Sequence, residues 1–194
     1  MRSVADALRS VLKSLDRQEI RYFLGGSIAS SIHGIQRSTR DIDIVADLRA
    51  QHVEGLVRDL HGEFYIDAEA AKDALRRGRP FNLIHFETSY KFDMFPLPDD
   101  PYHRLQLARS KAESISLAEG ISVQSFVATA EDTILSKLVW YRLGGEQSEQ
   151  QWNDLRGVLA VKGADLDRSY LLEWAPRLRV SDLLDKLLSV ENTH

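Results

Sequence analysis

The sequence predicts an α/β (α+β) fold: a mixed β-sheet core with interleaved helices over residues 1–128, followed by a C-terminal helical region over residues 129–194 that packs on that core. Three observations carry this expectation. Up to about residue 128, short alternating or continuously apolar runs recur between segments of helical periodicity. Beyond Ala128 only helical periodicity remains. A chain of 194 residues has room for one substantial core plus a small helical annex.

Val4, Leu8, Val11, Leu12 and Leu15 recur at helical spacing and open the chain with an amphipathic helix. Tyr22-Phe23-Leu24 reads as a short buried strand ending at Gly25-Gly26. Ser27 suits the N-cap of a helix to about His33, where Gly34 supplies the stop. Asp41 to Ala46 alternates acid and aliphatic residues, the pattern of a strand with two different faces. Val53, Leu56, Val57 and Leu60 mark a helix ended by Gly62. Phe64-Tyr65-Ile66 reads as a strand, and Ala68 to Arg77 as a helix closed by Gly78. Phe81 to Phe86 and Tyr90 to Phe95 are strands joined tightly through Glu87-Thr88-Ser89. Pro96, Pro98 and Pro101 end that run, and a charged helix follows to about Glu113. Short strands near Ile115-Ser116-Leu117 and from Ile121 to Phe126 flank a Glu119-Gly120 turn. Four helices complete the chain: Glu131 to Leu143, Glu149 to Val161, Tyr170 to Leu178, and Ser181 to Val190. Trp140, Tyr141, Trp152 and Trp174 lie among apolar residues there and are expected to pack in the core or between helices.

Composition removes several function classes. A net charge of -4 argues against wholesale coating of DNA or RNA, which needs a dominant basic face. With no cysteine, disulfides, thiolate chemistry and cysteine-based zinc sites are excluded. The N-terminus has no continuous apolar signal segment, and no stretch approaches the roughly 20 apolar residues of a membrane span. A cytoplasmic protein without a membrane partner is the simplest expectation.

Three features in the first half carry chemistry. At Tyr22 to Ser27 a strand, a glycine pair and a helix start follow one another. Glycines allow close backbone approach, and a helix start presents free N–H groups and a positive dipole end, so Gly25, Gly26 and Ser27 form a candidate phosphate seat. In Arg37-Ser38-Thr39-Arg40-Asp41-Ile42-Asp43-Ile44, residues two apart share a face, so Asp41 and Asp43 point one way and the isoleucines the other. Neighbouring carboxylates repel unless a cation lies between them, and Mg²⁺ suits one or two carboxylates plus phosphate oxygens. A solvated edge strand is the competing reading. Asp93 sits mid-strand in Lys91-Phe92-Asp93-Met94-Phe95; beside the Asp41 strand it completes a three-carboxylate cluster, and otherwise it pairs with Lys91 or an arginine.

The order of these pieces, over residues 20 to 95, resembles the nucleotidyltransferase superfamily of the DNA polymerase beta type. Arg37 and Thr39 before the acid pair look more narrowly like the bacterial family that includes abortive-infection toxins of toxin–antitoxin systems. Lys137 and Asp154 match the lysine and aspartate that this family places on C-terminal helices. The helix after Gly26 departs from the pattern, reading Ser-Ile-Ala-Ser-Ser-Ile-His without a lysine.

The resemblance implies a Mg²⁺-dependent enzyme that moves a nucleotide from an NTP to a hydroxyl on RNA, protein or a small molecule, releasing pyrophosphate. Asp41, Asp43 and Asp93 would be the catalytic and metal-binding acids. Gly25, Gly26, Ser27, Arg37, Thr39, Arg40, Lys137 and Asp154 would bind the nucleotide. An antitoxin partner is a further implication. A catalytically inactive nucleotide- or partner-binding module is the alternative, and a Mg²⁺-dependent nuclease fits less well because it has no triphosphate to seat. Arg76, Arg77 and Arg79 could touch an RNA or nucleotide acceptor but read first as a solvated helix end, and His33 could contact a substrate but reads first as a helix-end histidine.

Overall fold

The computed structural model describes residues 2–37, 39–117 and 121–189. It forms a mixed α/β fold, as the periodicities predict, and divides into two compact units. The first comprises Met1–Gly25 and Thr39–Val127; the second comprises Gly26–Ser38 and Ala128–His194. No helix among the described residues is long and apolar enough to cross a membrane.

The first unit is built on seven strands: β1 (Tyr22–Leu24), β2 (Asp41–Ala46), β3 (Phe64–Tyr65), β4 (Phe81–His85), β5 (Lys91–Pro96), β6 (Lys111–Ser116) and β7 (Ser122–Val127). Their order across the sheet is β3-β4-β5-β2-β1-β7-β6. The β1–β7 and β2–β5 pairs are parallel, and the other four are antiparallel. Alternation decides which way the sheet faces. Ile42, Ile44, Leu83, Phe92 and Met94 are fully buried on one side, while Asp41, Asn82, Ile84 and Lys91 reach solvent to differing degrees on the other. Burying a side chain such as Phe92 stabilises the fold by about 1.5–3 kcal/mol, which fixes the register of β5.

The α-helices of this unit among the described residues are α1 (Val4–Arg17), α3 (Val53–Leu60), α4 (Ala68–Arg76) and α5 (Pro101–Arg109). Helix α1 starts with a reciprocal Ser3–Asp6 capping box and buries Leu8, Val11, Leu12 and Leu15, packing against α3 and β7. Asp67 caps α4, and Asp100 with Pro101 starts α5. The exposed Arg76, Arg77 and Arg79 end α4, with Arg77 paired to Asp73 at 3.1 Å.

Helix α5 corrects one expectation. It stops at Arg109 rather than near Glu113, and Lys111–Ser116 is the edge strand β6. Only Ile115 of that strand is buried, so its pairing to β7 is carried by the backbone and left little side-chain pattern to read. The expected Glu119-Gly120 turn lies outside the described residues.

The second unit is helical: α2 (Gly26–His33), α6 (Ala130–Leu143), α7 (Glu149–Lys162), α8 (Arg168–Arg177) and α9 (Ser181–Ser189). Thr129, Ser148 and Asp167 cap α6, α7 and α8 by accepting N–H bonds from the first turn. Helix α2 packs on α6 and α7. At its end the backbone comes so close to α7 that a Cβ on Gly34 would lie 2.6 Å from the Val158 nitrogen and 2.7 Å from the Gly157 carbonyl carbon. Gly34 therefore serves close packing, beyond the helix stop assigned to it from sequence. Tyr141 packs against Trp152 with ring centroids 5.2 Å apart and planes tilted by 37°, and Trp174 is buried. Trp140 is 52% exposed, against the expectation that it packs inside. The α6 core face runs through Ile134, Leu135, Leu138 and Tyr141, and at about 100° per residue Trp140 falls on the opposite side.

Candidate active site

Each unit carries one set of the residues singled out from sequence. In the first unit, β2 and β5 lie side by side in parallel, with Asp43 opposite Asp93 and Asp41 opposite Lys91. Registered partners share a face, and all four point away from the buried Ile42, Ile44, Phe92 and Met94. The side chains are unequally covered: Asp41 is 54% exposed and Asp93 only 14%. The Lys91 ammonium lies 2.9 Å from Asp93 Oδ2 and 3.6 Å from Asp41 Oδ1. The hydrogen bond to Asp93 holds the Lys91 pKa above its ordinary value against the opposing effect of burial, with Asp41 adding to the shift.

Lysine thus takes the pairing role that was the competing reading for Asp93. Among the described residues, no three acidic or histidine side chains are gathered as a metal-binding group. The donor set still suits a hard cation: the two aspartates facing each other across adjacent strands match the one or two carboxylates Mg²⁺ takes alongside phosphate oxygens.

Two further predicted residues frame this face. Thr39 Oγ1 accepts from the Asp41 N–H at 3.3 Å and donates to the Asp41 carbonyl at 3.0 Å, fixing the start of β2. Arg40 is exposed, and its carbonyl accepts from the Lys91 N–H at 3.2 Å. The Gly25 N–H donates to the Asp43 carbonyl at 3.0 Å, tying the end of β1 to the acid strand.

The second unit gathers Ser27, Arg37, Lys137 and Asp154. Arg37 grips Asp154 with two bonds, Nε to Oδ1 at 2.9 Å and Nη2 to Oδ2 at 3.1 Å. The same Nη2 donates to Ser27 Oγ at 3.0 Å. Lys137 Nζ donates to Asp154 Oδ2 at 2.7 Å, and both of these side chains are about nine-tenths covered. Burial alone would raise the Asp154 pKa, but the bonds from Arg37 and Lys137 outweigh it and hold the carboxyl below its ordinary range. Asp154 can approach because Gly157, one turn further along α7, leaves the helices in close contact at Gly34 and Ile35.

Gly26 adopts φ +51°, a left-handed conformation that suits glycine. Ser27 differs from expectation. It lies inside the first turn of α2, which starts at Gly26, and its hydroxyl accepts from Arg37. Sequence reasoning missed Ser30, whose Oγ lies 3.1 Å from the Ser27 carbonyl and 3.4 Å from Asp154 Oδ2. Its i+3 spacing from Ser27 was the available signal. His33 is buried, with Nε2 2.7 Å from the Ala128 carbonyl, so that nitrogen carries the proton and the ring is structural.

No protein-family model matches the chain, and no curated protein sequence does. Solved structures do. The antibiotic-resistance factor ANT(2'')-Ia in solution aligns over 98% of this chain and 97% of its own, with TM-score 0.53 and 16% identity. Its crystal structure in complex with adenylyl-2''-tobramycin aligns over 90% and 96%, with TM-score 0.51 and 14% identity. An antigenic nucleotidyltransferase-like protein from Paracoccidioides brasiliensis aligns over 94% and 91%, with TM-score 0.53 and 15% identity. At these identities the likeness concerns the fold: the chain shares the fold of ANT(2'')-Ia and of this nucleotidyltransferase-like protein.

Proposed function

We propose that the protein is a Mg²⁺-dependent nucleotidyltransferase that moves a nucleotide from an NTP to a hydroxyl acceptor and releases pyrophosphate. The observation that carries this reading is the registered Asp43–Asp93 pair on the outward face of β2 and β5, with Asp41 two residues away. The fold shared with ANT(2'')-Ia supports it, as does the adenylyl-2''-tobramycin found in one structure of that protein.

Asp43 and Asp93, with help from Asp41, would hold the metal, and Mg²⁺ would supply charge neutralisation and Lewis acidity there. The carboxylates favour deprotonation of the acceptor hydroxyl, whose oxygen forms the new bond to the α-phosphorus as the bond to pyrophosphate breaks. Gly26, Ser27, Arg37 and Lys137 take the phosphates. Asp154 repels phosphate, so its role is to hold the two cations side by side; it is a positioning residue.

Arg37, Thr39, Lys137 and Asp154 support the narrower reading of a toxin-related enzyme with an RNA or protein acceptor and an antitoxin partner. The tobramycin adduct of ANT(2'')-Ia supports a small-molecule acceptor instead. A second class of reading also has an observation behind it: Lys91 engages Asp93 as in a structural ion pair, which favours an inactive nucleotide- or partner-binding module. Incubation with α-labelled NTPs, Mg²⁺ and total cell lysate separates these. Label passing into any acceptor, and lost in Asp43→Asn, supports the enzyme and identifies the acceptor class. Nucleotide binding without transfer supports the inactive module, and shortened RNA supports a nuclease.

A further inference from the structure

The outward face of the sheet continues past the acids. Registered partners run Asp43–Asp93–Asn82 in one row and Asp41–Lys91–Ile84–Tyr65 in the next, across β2, β5, β4 and β3. Partners in register share a face, so Asn82, Ile84 and Tyr65 extend the face that carries the acids. All of these residues belong to the first unit. Two are large apolar side chains left in water: Ile84 is 41% exposed and Tyr65 55%. Phe86, two residues on from Ile84, is exposed as well, and its N–H donates to the Glu63 carbonyl at 3.0 Å, so the β3–β4 ladder reaches it. Single exposed apolar residues are ordinary, but a cluster of them beside a polar site marks a surface that meets a ligand.

Position and chemistry narrow what that ligand is. Gly25, at the head of the proposed phosphate seat, is bonded to Asp43 from the β1 side of the acids. The apolar strip lies on the opposite side, beyond β5. With the NTP on the β1 side, the β4–β3 side is left for the acceptor. Neighbouring strands lie about 4.8 Å apart, so Tyr65 stands roughly 10 Å across the sheet from Lys91, enough to lay out one nucleoside or a pair of sugar rings. Tyr65 offers an aromatic face, Ile84 an aliphatic one, and Asn82 an amide that donates and accepts. None of the three is charged. The nearby carboxylates Glu63 and Glu87 are both engaged by Arg2, through its guanidinium and its backbone N–H respectively. Lys91 is engaged by Asp93 and Asp41, and Arg79 lies on the far side of Asn82 from Ile84. The strip therefore suits a ring without charge better than a polyamine or a phosphate chain.

We infer that Tyr65, Ile84 and Asn82 form the acceptor platform, and that the acceptor hydroxyl is carried by an uncharged ring, a sugar or a nucleoside, whose face rests on Tyr65 and Ile84. This rests on the nucleotidyltransferase reading above. Tyr65 and Ile84 then set acceptor specificity, while the acids beside them serve the reacting oxygen.

The test uses the full chain with Mg²⁺, α-labelled NTPs and cell lysate as the source of acceptor. Products are separated into RNA, protein and acid-soluble fractions, and the fraction that the parent labels is then titrated. Tyr65→Ala is expected to raise the apparent acceptor KM by about ten-fold, with the maximal rate and the NTP KM held, and Tyr65→Phe to restore it. Ile84→Glu and Ile84→Lys should both weaken the acceptor. A merely structural role would move the melting temperature and the NTP KM as well. Label on a terminal nucleoside of RNA, or on a free sugar or nucleoside, supports the inference and tells the two sources of the ring apart. Label on a serine or threonine of a protein, a gain in either charged Ile84 variant, or an unchanged acceptor KM in Tyr65→Ala would overturn it while leaving the nucleotidyltransferase reading intact. No transfer by the parent to any fraction would sink that reading and this inference with it.

Discussion

At Gly26, a φ of +51° means that any side chain bearing a Cβ is strained. Left-handed backbone disfavours L-residues by roughly 1–2 kcal/mol, and β-branching adds to this. Gly26→Val is therefore expected to lower the melting temperature and to weaken NTP binding; unchanged nucleotide affinity in the folded variant would reduce the turn to a connector. Asp154 gives a pH prediction. Its folded pKa lies below its unfolded value, so its contribution to stability is complete above about pH 4 and is lost as pH falls through the lower folded value. Denaturant titrations across that acid range should show a shallower loss of stability for Asp154→Asn than for the parent. Lys137→Met removes one of two cations from a covered carboxylate that keeps Arg37, so a loss of about 1–3 kcal/mol is expected in urea unfolding, and none if the lysine were surface decoration. The sequence displayed these residues but not their partners. Arg37 and Asp154 are 117 positions apart, and nothing local distinguishes a carboxylate that binds substrate from one that positions two cations.

At the scale of elements, the helical crossing at Gly34 is the sharpest test of the second unit. A methyl group there would meet three backbone atoms at 2.6 to 2.9 Å, and backbone cannot swing aside as a side-chain tip can. Gly34→Ala is expected to destabilise by about 1–3 kcal/mol, and to weaken NTP binding by drawing Asp154 away from Arg37. Normal stability and affinity would contradict the tight crossing. Strands and helices with strong periodicity were legible: Tyr22–Leu24, Asp41–Ala46 and Val53–Leu60 fall where the pattern placed them. Weakly patterned elements were not. The edge strand β6 shows one buried residue, and its first half reads as the end of a charged helix, while α6 is apolar enough on several sides that Trp140 looked internal. Strand pairing was beyond reach for another reason. That β2 and β5 pair in parallel with Asp43 beside Asp93 joins residues 50 positions apart, and the two-residue period of each strand fixes its face but not its neighbour.

The molecule as a whole carries an acid face that gathers negative charge and a cation set held by Asp154. Relieving charge crowding predicts that Asp43→Asn leaves the metal-free protein as stable as the parent or raises it, by about 0.5–2 kcal/mol. Asp93→Asn differs, because it removes the closest partner of Lys91; with Asp41 still near the ammonium, a small loss is expected. Melts in EDTA read both. The fold was legible as a class, a mixed core with a helical remainder. The grouping of Gly26–Ser38 with the C-terminal helices was not, because it depends on packing between segments more than 90 residues apart.

The joint metal–nucleotide site is tested most directly by the thermal melt of the parent with Mg²⁺ alone, with each NTP alone, and with both. Carboxylate, metal and phosphate that coordinate one another should stabilise the protein far more when both ligands are present; at 100 times the dissociation constant the gain is about 2.7 kcal/mol. This combined gain is expected to disappear in Asp43→Asn, which removes a metal ligand, and equally in Arg37→Gln, which removes a phosphate partner. A parent that shows no combined shift with any of the four NTPs at millimolar concentration, or a shift that survives both substitutions, would contradict such a site.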